Sequence, residues 1–320
     1  MGPGAELSRF MRDERVEPRL VELIAAVATA TERIEALVRR SGLTHLIGLT
    51  GATNVQDEAV HKLDDAANRI FVDVLRASGR ASLLVSEELA EPLALGGGPF
   101  ALYVDPIDGS SNADVNGSIG SIFSVHASAH AGLPGPGHAQ RAAGYVMYGP
   151  GTSMMITWGR ELHEFVLDPD ARGFLLTRAG LRLPPSGRTY AVNFGRRAYW
   201  DPGVGAFFDD LNADDPARGR PYSLRYSGSL TADLHRILLE GGIYCYPGDR
   251  KVKDGKLRLL YEACPLALLA EQGGGRASNG HERILDIVPR TVHQRVPLYI
   301  GSATEVELAE DYVQQRRRAR

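Results

Sequence analysis

The chain has 320 residues, the apolar and charged fractions of a soluble globular protein, and a formal net charge of −3. That length buries a sizeable core in one large or two closely packed domains, and that charge gives no reason to expect nucleic acid. No apolar run approaches the roughly 18–20 residues needed to span a bilayer, the first residues show no basic-then-apolar leader, and two cysteines without finger spacing suit a reducing cytosol.

The first predicted element is an amphipathic helix behind Pro18, with Leu20, Leu23, Ile24, Val27, Ile34, Leu37 and Val38 at helical spacing and Gly42 just past its last turn. The stretch Thr50 to Glu58 is polar and reads as an acceptor-rich loop. A second helix is predicted over Ala59–Ala77, its apolar stripe running from Val60 to Leu75. Residues 81–167 read mostly as β, with strands near 82–86, 101–105, 119–126, 142–148 and 152–158. Pro184-Pro185-Ser186-Gly187-Arg188 marks the best internal boundary, dividing the chain into 1–184 and 185–320. Beyond it come a strand near 189–193, a helix through Thr231–Leu239, a strand at Ile243–Tyr246, a helix at Leu257–Ala270 and a strand at Val296–Ile300. Ser302 and Glu305 have capping-box spacing for a last helix. Gly273-Gly274-Gly275 reads as a helix cap and turn, and the basic end Gln314–Arg320 as a solvated terminus. The pattern as a whole is α+β in layers.

The densest chemistry lies in Asp105-Pro106-Ile107-Asp108-Gly109-Ser110-Ser111-Asn112. The apolar run Ala101–Val104 delivers two carboxylates to the end of a buried strand, and an Asp-Gly turn with two serines follows at once. Hard oxygen ligands beside oriented amides are what a divalent cation and a phosphate need together. Two further apolar segments carry acids, Leu84-Val85-Ser86-Glu87-Glu88 and Leu257–Glu262. Acids at the ends of buried elements are costly unless a cation compensates them. Glu87, Asp105, Asp108 and Glu262 are therefore the candidate metal ligands, with the Ile107 carbonyl a fifth. A single Mg²⁺ uses few carboxylates, so this set implies two or three ions, and paired ions suit in-line hydrolysis of a phosphate ester. Asp64 and Glu88 are then spare acids suited to activating water, and amides of Gly109, Ser110 and Ser111 to holding the transferred phosphate. The second half supplies positive charge and sugar-binding types at segment ends: Asn193, Arg225, Tyr226, Tyr246, Lys256 and Arg258.

Taken together these pieces resemble the class I fructose-1,6-bisphosphatases. The matching segments include Asn54-Val55-Gln56, His61–Asp64, Leu84–Glu88, the octapeptide, Arg225–Ser229, Gly255–Glu262 and Leu285–Pro289, in the family's order over roughly residues 20 to 310. The octapeptide alone marks the wider lithium-sensitive phosphatase superfamily; the Arg225 and Lys256 segments give the narrower likeness. The resemblance implies a layered αβαβα fold, a homotetramer in the cytoplasm, and Mg²⁺ as cofactor with Mn²⁺ an alternative. It implies metal ligation by Glu87, Asp105, Ile107, Asp108 and Glu262, water activation by Asp64 and Glu88, and a loop from about Gly42 to His61 that closes over the site through Glu58. It also implies a sugar and 6-phosphate grip by Asn193, Tyr226, Tyr246 and Lys256, with Arg225 reaching in from a neighbouring subunit.

Three departures from the family pattern stand out. Arg196 occupies the place of a further tyrosine, which adds positive charge at the phosphate pocket. The turn that binds AMP in many members is Arg15-Val16-Glu17-Pro18-Arg19 here, with Pro99-Phe100 and Ala127 at other AMP positions, so weak or absent AMP inhibition is expected. Asp57 stands where glycine is usual. The expected reaction is Mg²⁺-dependent removal of the 1-phosphate of fructose 1,6-bisphosphate, in gluconeogenesis or the Calvin cycle. The alternatives are a dual enzyme that also takes sedoheptulose 1,7-bisphosphate and, in a different class, a non-catalytic sugar-phosphate sensor.

Overall fold

A computed structural model describes residues 4–44, 46, 48–53, 59–128, 133–170 and 173–315, the side chains at 51–53, 59 and 60 apart. Helices α1 (Leu7–Asp13), α2 (Pro18–Val38) and α3 (Lys62–Ser78) come first, with a small hairpin, β1 (Leu49–Thr53) and β2 (Ala59–His61), between the last two. The large sheet then forms from β3 (Ala81–Ser86), β4 (Leu93–Ala94), β5 (Phe100–Asp108), β6 (Ile119–Ala127), β7 (Ala142–Tyr148), β8 (Thr152–Thr157), β9 (Leu162–Asp168) and β10 (Gly173–Leu181). Its spatial order is β10-β9-β8-β7-β6-β5-β3-β4, antiparallel throughout except for the β3–β5 pair. The second sheet, β12-β11-β13-β17-β15, uses β11 (Thr189–Ala191), β12 (Ser223–Leu224), β13 (Ile243–Tyr246), β15 (Arg276–Ser278) and β17 (Leu298–Gly301). A two-stranded ribbon pairs β14 (Leu257–Arg258) with β16 (Arg295–Val296). The remaining helices are α4 (Pro202–Leu211), α5 (Leu230–Glu240), α6 (Cys264–Gln272) and α7 (Ala303–Val313).

Side-chain alternation in the strands builds the layers. On β6, Phe123 and Val125 join one core with Leu23, Ile24 and Val27 of α2 and Phe71 of α3. Ile122, on the opposite face, joins a second core with Leu234 of α5, Leu266 of α6 and Ile300 of the second sheet. The far face of that sheet, through Tyr190, Ile243 and Cys245, packs on Phe207 and Phe208 of α4 and Val306 of α7. The result is five layers, αβαβα. Cys245 and Cys264 are free and buried, and no helix among the described residues is long and apolar enough to cross a membrane.

The sequence-based expectations fail at four informative places. The second helix begins at Lys62 because Ala59–His61 pairs with β1 in the stretch read as loop. The helix expected from Leu257 begins at Cys264, since Leu257 and Arg258 pair with β16 and Leu259–Ala263 forms a π-helical turn. The expected capping box is not formed: the Ser302 hydroxyl donates to the Pro184 carbonyl (2.7 Å) and accepts from Gly242 N (3.0 Å), while Glu305 accepts from the Tyr222 hydroxyl (2.9 Å). The strand expected at 296–300 is interrupted at Pro297, which has no N–H to donate. Helices α1 and α4 and strands β9 and β10 were not predicted; α1 spans only seven residues, too few for a clear helical period.

Candidate active site

Residues three apart on a regular strand point to opposite faces, so Asp105 and Asp108 could not share a site on ideal β geometry. The register of β5 against β6 breaks between them: Asp105 lies opposite Ile122, and Asp108 opposite Gly120. Such a bulge brings both acids to one side, and Pro106 suits it because no ladder N–H is lost. The Pro106 carbonyl accepts from the Ser121 hydroxyl (2.6 Å), and Ile107 is buried. Gly109 follows at φ 73°, and a Cβ there would lie 2.9 Å from the Ser229 Cβ, so both backbone and space require glycine. It opens a 3₁₀ turn over Ser110–Val115, whose first amides have no acceptor within the turn.

Three other segments bring acids to Asp105. Strand β3 runs parallel to β5, so the two strand ends lie side by side, and Glu87 N donates to the Val104 carbonyl (3.1 Å). Glu88 is half-buried in the same turn. Glu262 sits on the π-helical turn, a rare geometry often found at functional sites. Leu260 and Tyr261 of that turn pack on Val85, Ala101 and Tyr103. Asp64 lies in the first turn of α3, where its carboxylate accepts from His61 N (3.2 Å).

Burial foremost, then Glu87, Glu262, Asp108 and Asp64, drives the Asp105 carboxyl well above the usual carboxylate range. Glu262 is raised for the same reasons, with Arg258 opposing. Burial pushes Asp64 up to about 7, against hydrogen bonds from His61 N and Ser110, and Glu87 and Asp114 add to the rise. Among the described residues the buried Asp64 Oδ1 atom has no hydrogen-bond partner. Clustered, desolvated oxygen donors with an orphaned carboxylate oxygen are what a hard divalent cation requires, so the donor set fits such an ion.

Two of the expected site residues make contacts that the sequence did not suggest. Arg258 is buried: its side chain is only 3% exposed, and its Nη2 lies 3.8 Å from Glu87 Oε1. Its main-chain N–H donates to Glu262, and its guanidinium to the Lys256 carbonyl. It compensates the acids. Asp108 faces α5: Oδ1 accepts from Leu230 N (3.0 Å), and Oδ2 from the Ser229 and Thr231 hydroxyls (both 2.7 Å) and Thr231 N (2.8 Å). Among the described residues no three His, Cys, Asp or Glu side chains close on one point as a metal site. Oδ1, with one described donor, retains a lone pair for a cation. Glu58 lies outside the described residues.

The sugar-binding candidates gather at the ends of β11 and β13, which are parallel neighbours. Tyr226 is hydrogen-bonded to Asn193, and burial foremost, with Tyr246 nearby, pushes its phenol up to about 12. From Tyr226 the chain returns to the acids. Ser227 N donates to Asp233 (2.8 Å), its carbonyl accepts from Asn112 Nδ2 (3.2 Å), and Ser229 holds Asp108. Arg225 and Lys256 are exposed at the rim. Arg196 adds no net charge, because its guanidinium pairs with buried Asp249 (2.5 Å), and it fills a tight crevice beside Asn193 and Tyr246. Sequence reasoning assigned no role to Asn112, Ser229 or Thr231. The Ser-Leu-Thr start of α5 is a recognisable cap signal, but nothing in it says that the cap would hold Asp108.

Comparison with known proteins places these features. Residues 6–179 match the family described as "Fructose-1-6-bisphosphatase, N-terminal domain" and residues 183–314 its "C-terminal domain". A class 1 fructose-1,6-bisphosphatase of Chlorobium luteolum is 45% identical, with 92% of each chain covered. A chloroplastic fructose-1,6-bisphosphatase of Brassica napus is 41% identical over 96% of this chain and 80% of its own. The solved structure of Leishmania major fructose-1,6-bisphosphatase in holo form superposes with a TM-score of 0.93 at 33% identity, covering 98% of this chain and 99% of that one. With both halves matched and the acid cluster assembled from four separate segments, the chain belongs to the class I fructose-1,6-bisphosphatase family.

Proposed function

We propose that the chain hydrolyses the 1-phosphate of D-fructose 1,6-bisphosphate to fructose 6-phosphate and phosphate. The observation that carries this reading is that Glu87, Glu262, Asp108 and Asp64, from separate segments, all act on the buried Asp105 carboxyl and raise it. Glu87, Asp105, Asp108, Glu262 and the Ile107 carbonyl would hold two or three Mg²⁺ ions, which when bound neutralise phosphate charge and acidify the attacking water. Asp64, held near 7, is suited to take a proton from that water at neutral pH, with Glu88 alongside. Amides at Gly109–Ser111 face the phosphate to be transferred. Asn193, Tyr226, Tyr246 and Lys256 would hold the sugar and its remaining phosphate, and the exposed cations Arg250, Lys251 and Lys253, shortly after Tyr246 in the chain, would help draw in an anion that the acids alone would repel. A homotetramer in the cytoplasm, with Arg225 acting on a neighbouring subunit, completes the reading. The free buried cysteines are consistent with a reducing compartment.

Phosphate release from a panel of fructose 1,6-bisphosphate, sedoheptulose 1,7-bisphosphate and inositol monophosphate, with and without Mg²⁺, tests the assignment. Fructose 1,6-bisphosphate is expected to turn over fastest, and only with metal. Equal rates on the two bisphosphates would favour the dual enzyme of carbon fixation, and binding without turnover the sensor.

AMP is expected to leave the activity unchanged up to millimolar concentration. Phe100 is packed in the first core, and Glu17, half-exposed in the stretch that replaces the AMP turn, puts an acid where a nucleotide phosphate would sit. Inhibition at micromolar AMP in a steady-state titration contradicts this.

A further inference from the structure

His293, in the loop just before β16, touches both acid-bearing segments. Its Nδ1 lies 2.8 Å from the hydroxyl of Tyr261, and its Nε2 3.2 Å from the carbonyl of Ala90. Ala90 ends the turn that carries Glu87 and Glu88, and Tyr261 immediately precedes Glu262. We propose that His293 is a positioning residue that fixes the spacing between these two segments, and so between the acids they carry; the inference rests on the metal-dependent phosphatase reading above.

The chemistry of the bridge is specific. The Ala90 carbonyl only accepts, so Nε2 donates to it; the Tyr261 hydroxyl can donate or accept, so it pairs with Nδ1. The imidazole is thus a two-ended strut, with the phenol as its extension. Tyr261 is fully buried against Val85, Ala101 and Tyr103, which sets the height of the π-helical turn above β3 and β5. Apolar packing is not directional. The Ser124 hydroxyl, donating to the Leu260 carbonyl (3.2 Å), ties the turn to β6, and the His293 bridge ties it to the segment that carries Glu87 and Glu88. The loop that supplies His293 is itself tied to the same turn, because the neighbouring Gln294 carbonyl accepts from Leu259 N (2.7 Å). Within that loop Gln294 also accepts from Arg290 N (2.7 Å). The strut therefore has its base at the Glu262 turn and its other end on Ala90, just past Glu87 and Glu88. A divalent cation held by acids of both segments would tolerate only small errors in their spacing, which is why groups supporting metal ligands are costly to lose.

The test uses the full chain and Mn²⁺ as the probe, with binding measured directly by calorimetry or electron paramagnetic resonance, alongside kcat and KM for fructose 1,6-bisphosphate. His293→Ala is expected to weaken Mn²⁺ binding about 10–100-fold and to lower kcat comparably, with KM changed by less than about 3-fold. Tyr261→Phe, which keeps the packing and removes only the hydroxyl, is expected to move the same readouts in the same direction. His293→Gln is expected to recover most of the loss, since its amide can donate at one end and accept at the other. Wild-type Mn²⁺ affinity and kcat in both His293→Ala and Tyr261→Phe, whatever happens to their melting temperatures, would overturn the proposal. A wild-type chain that binds no Mn²⁺ and releases no phosphate from any sugar bisphosphate would instead refute the phosphatase reading itself. If His293→Ala does not fold, Tyr261→Phe and His293→Gln carry the test unchanged.

Discussion

Asp105→Asn is expected to lower turnover by roughly 10²–10³-fold or more while raising the melting temperature of the metal-free chain. The two effects have one cause. Asp105 is buried among Glu87, Glu262, Asp108 and Asp64, and its carboxyl is raised well above the usual range. At neutral pH the folded chain must either bury this charge or bind a proton, and the unfolded chain needs neither. Asparagine escapes both costs, so without metal the variant is the more stable. The sign follows from the direction of the shift: the cost is absent below the ordinary carboxylate range and grows as pH rises through the folded value. The gain is therefore largest at neutral and alkaline pH and vanishes in acid. With Mg²⁺ present the order reverses, because the ion binds the folded wild type and adds stability by mass action, which the variant loses with its ligand. The loss of turnover follows from removing a preorganised charge at the reacting centre. Melting curves with and without Mg²⁺ at two pH values, together with phosphate release, check this; a metal-free variant that melts below wild type at pH 8 and keeps its activity contradicts it.

Arg258→Met is expected to destabilise the chain by about 3–5 kcal/mol, the usual consequence of removing one partner from a buried ion pair. Arg258 is 2% exposed, pairs with Glu87 and opposes the rise of Glu262. Methionine keeps much of the volume, so a cavity does not explain the loss; it comes from leaving the acids uncompensated. Lys256→Met, two residues earlier and exposed, serves as the control. It is expected to change stability by less than about 0.5 kcal/mol and to act on KM instead. Urea denaturation of both variants decides the matter. Equal midpoints for Arg258→Met and wild type mean that the guanidinium does not compensate the acids.

These two expectations mark where sequence reading works and where it stops. The octapeptide was legible because each residue type has a chemical reason: carboxylates for a cation, glycine for a left-handed turn, serines with free amides for an anion. The helices behind Pro18 and before Gly79 were legible from apolar periodicity. The burial of Arg258 was not, because lysine and arginine two residues apart look alike until one is buried and the other exposed. Nor was the start of α6 at Cys264, since the apolar run from Leu257 fits a helix equally well and only pairing with β16 holds its first two residues in a strand.

The sequence by itself determined the local elements and the inventory of the site, because periodicity, turn chemistry and charge are written in neighbouring residues. It offered Glu87, Asp105, Asp108, Glu262 and Asp64 as candidates, and the resemblance to the family added Asn193, Tyr226 and Tyr246 for the sugar. Only the tertiary structure decided how they meet. The bulge at Pro106–Ile107 turns Asp105 and Asp108 to one side, α5 claims the Asp108 carboxylate with four donors, and His293 spans the two acid-bearing turns from more than thirty positions away. Such contacts depend on which strand ends lie side by side, and that is fixed by the packing of five layers rather than by any stretch of chain.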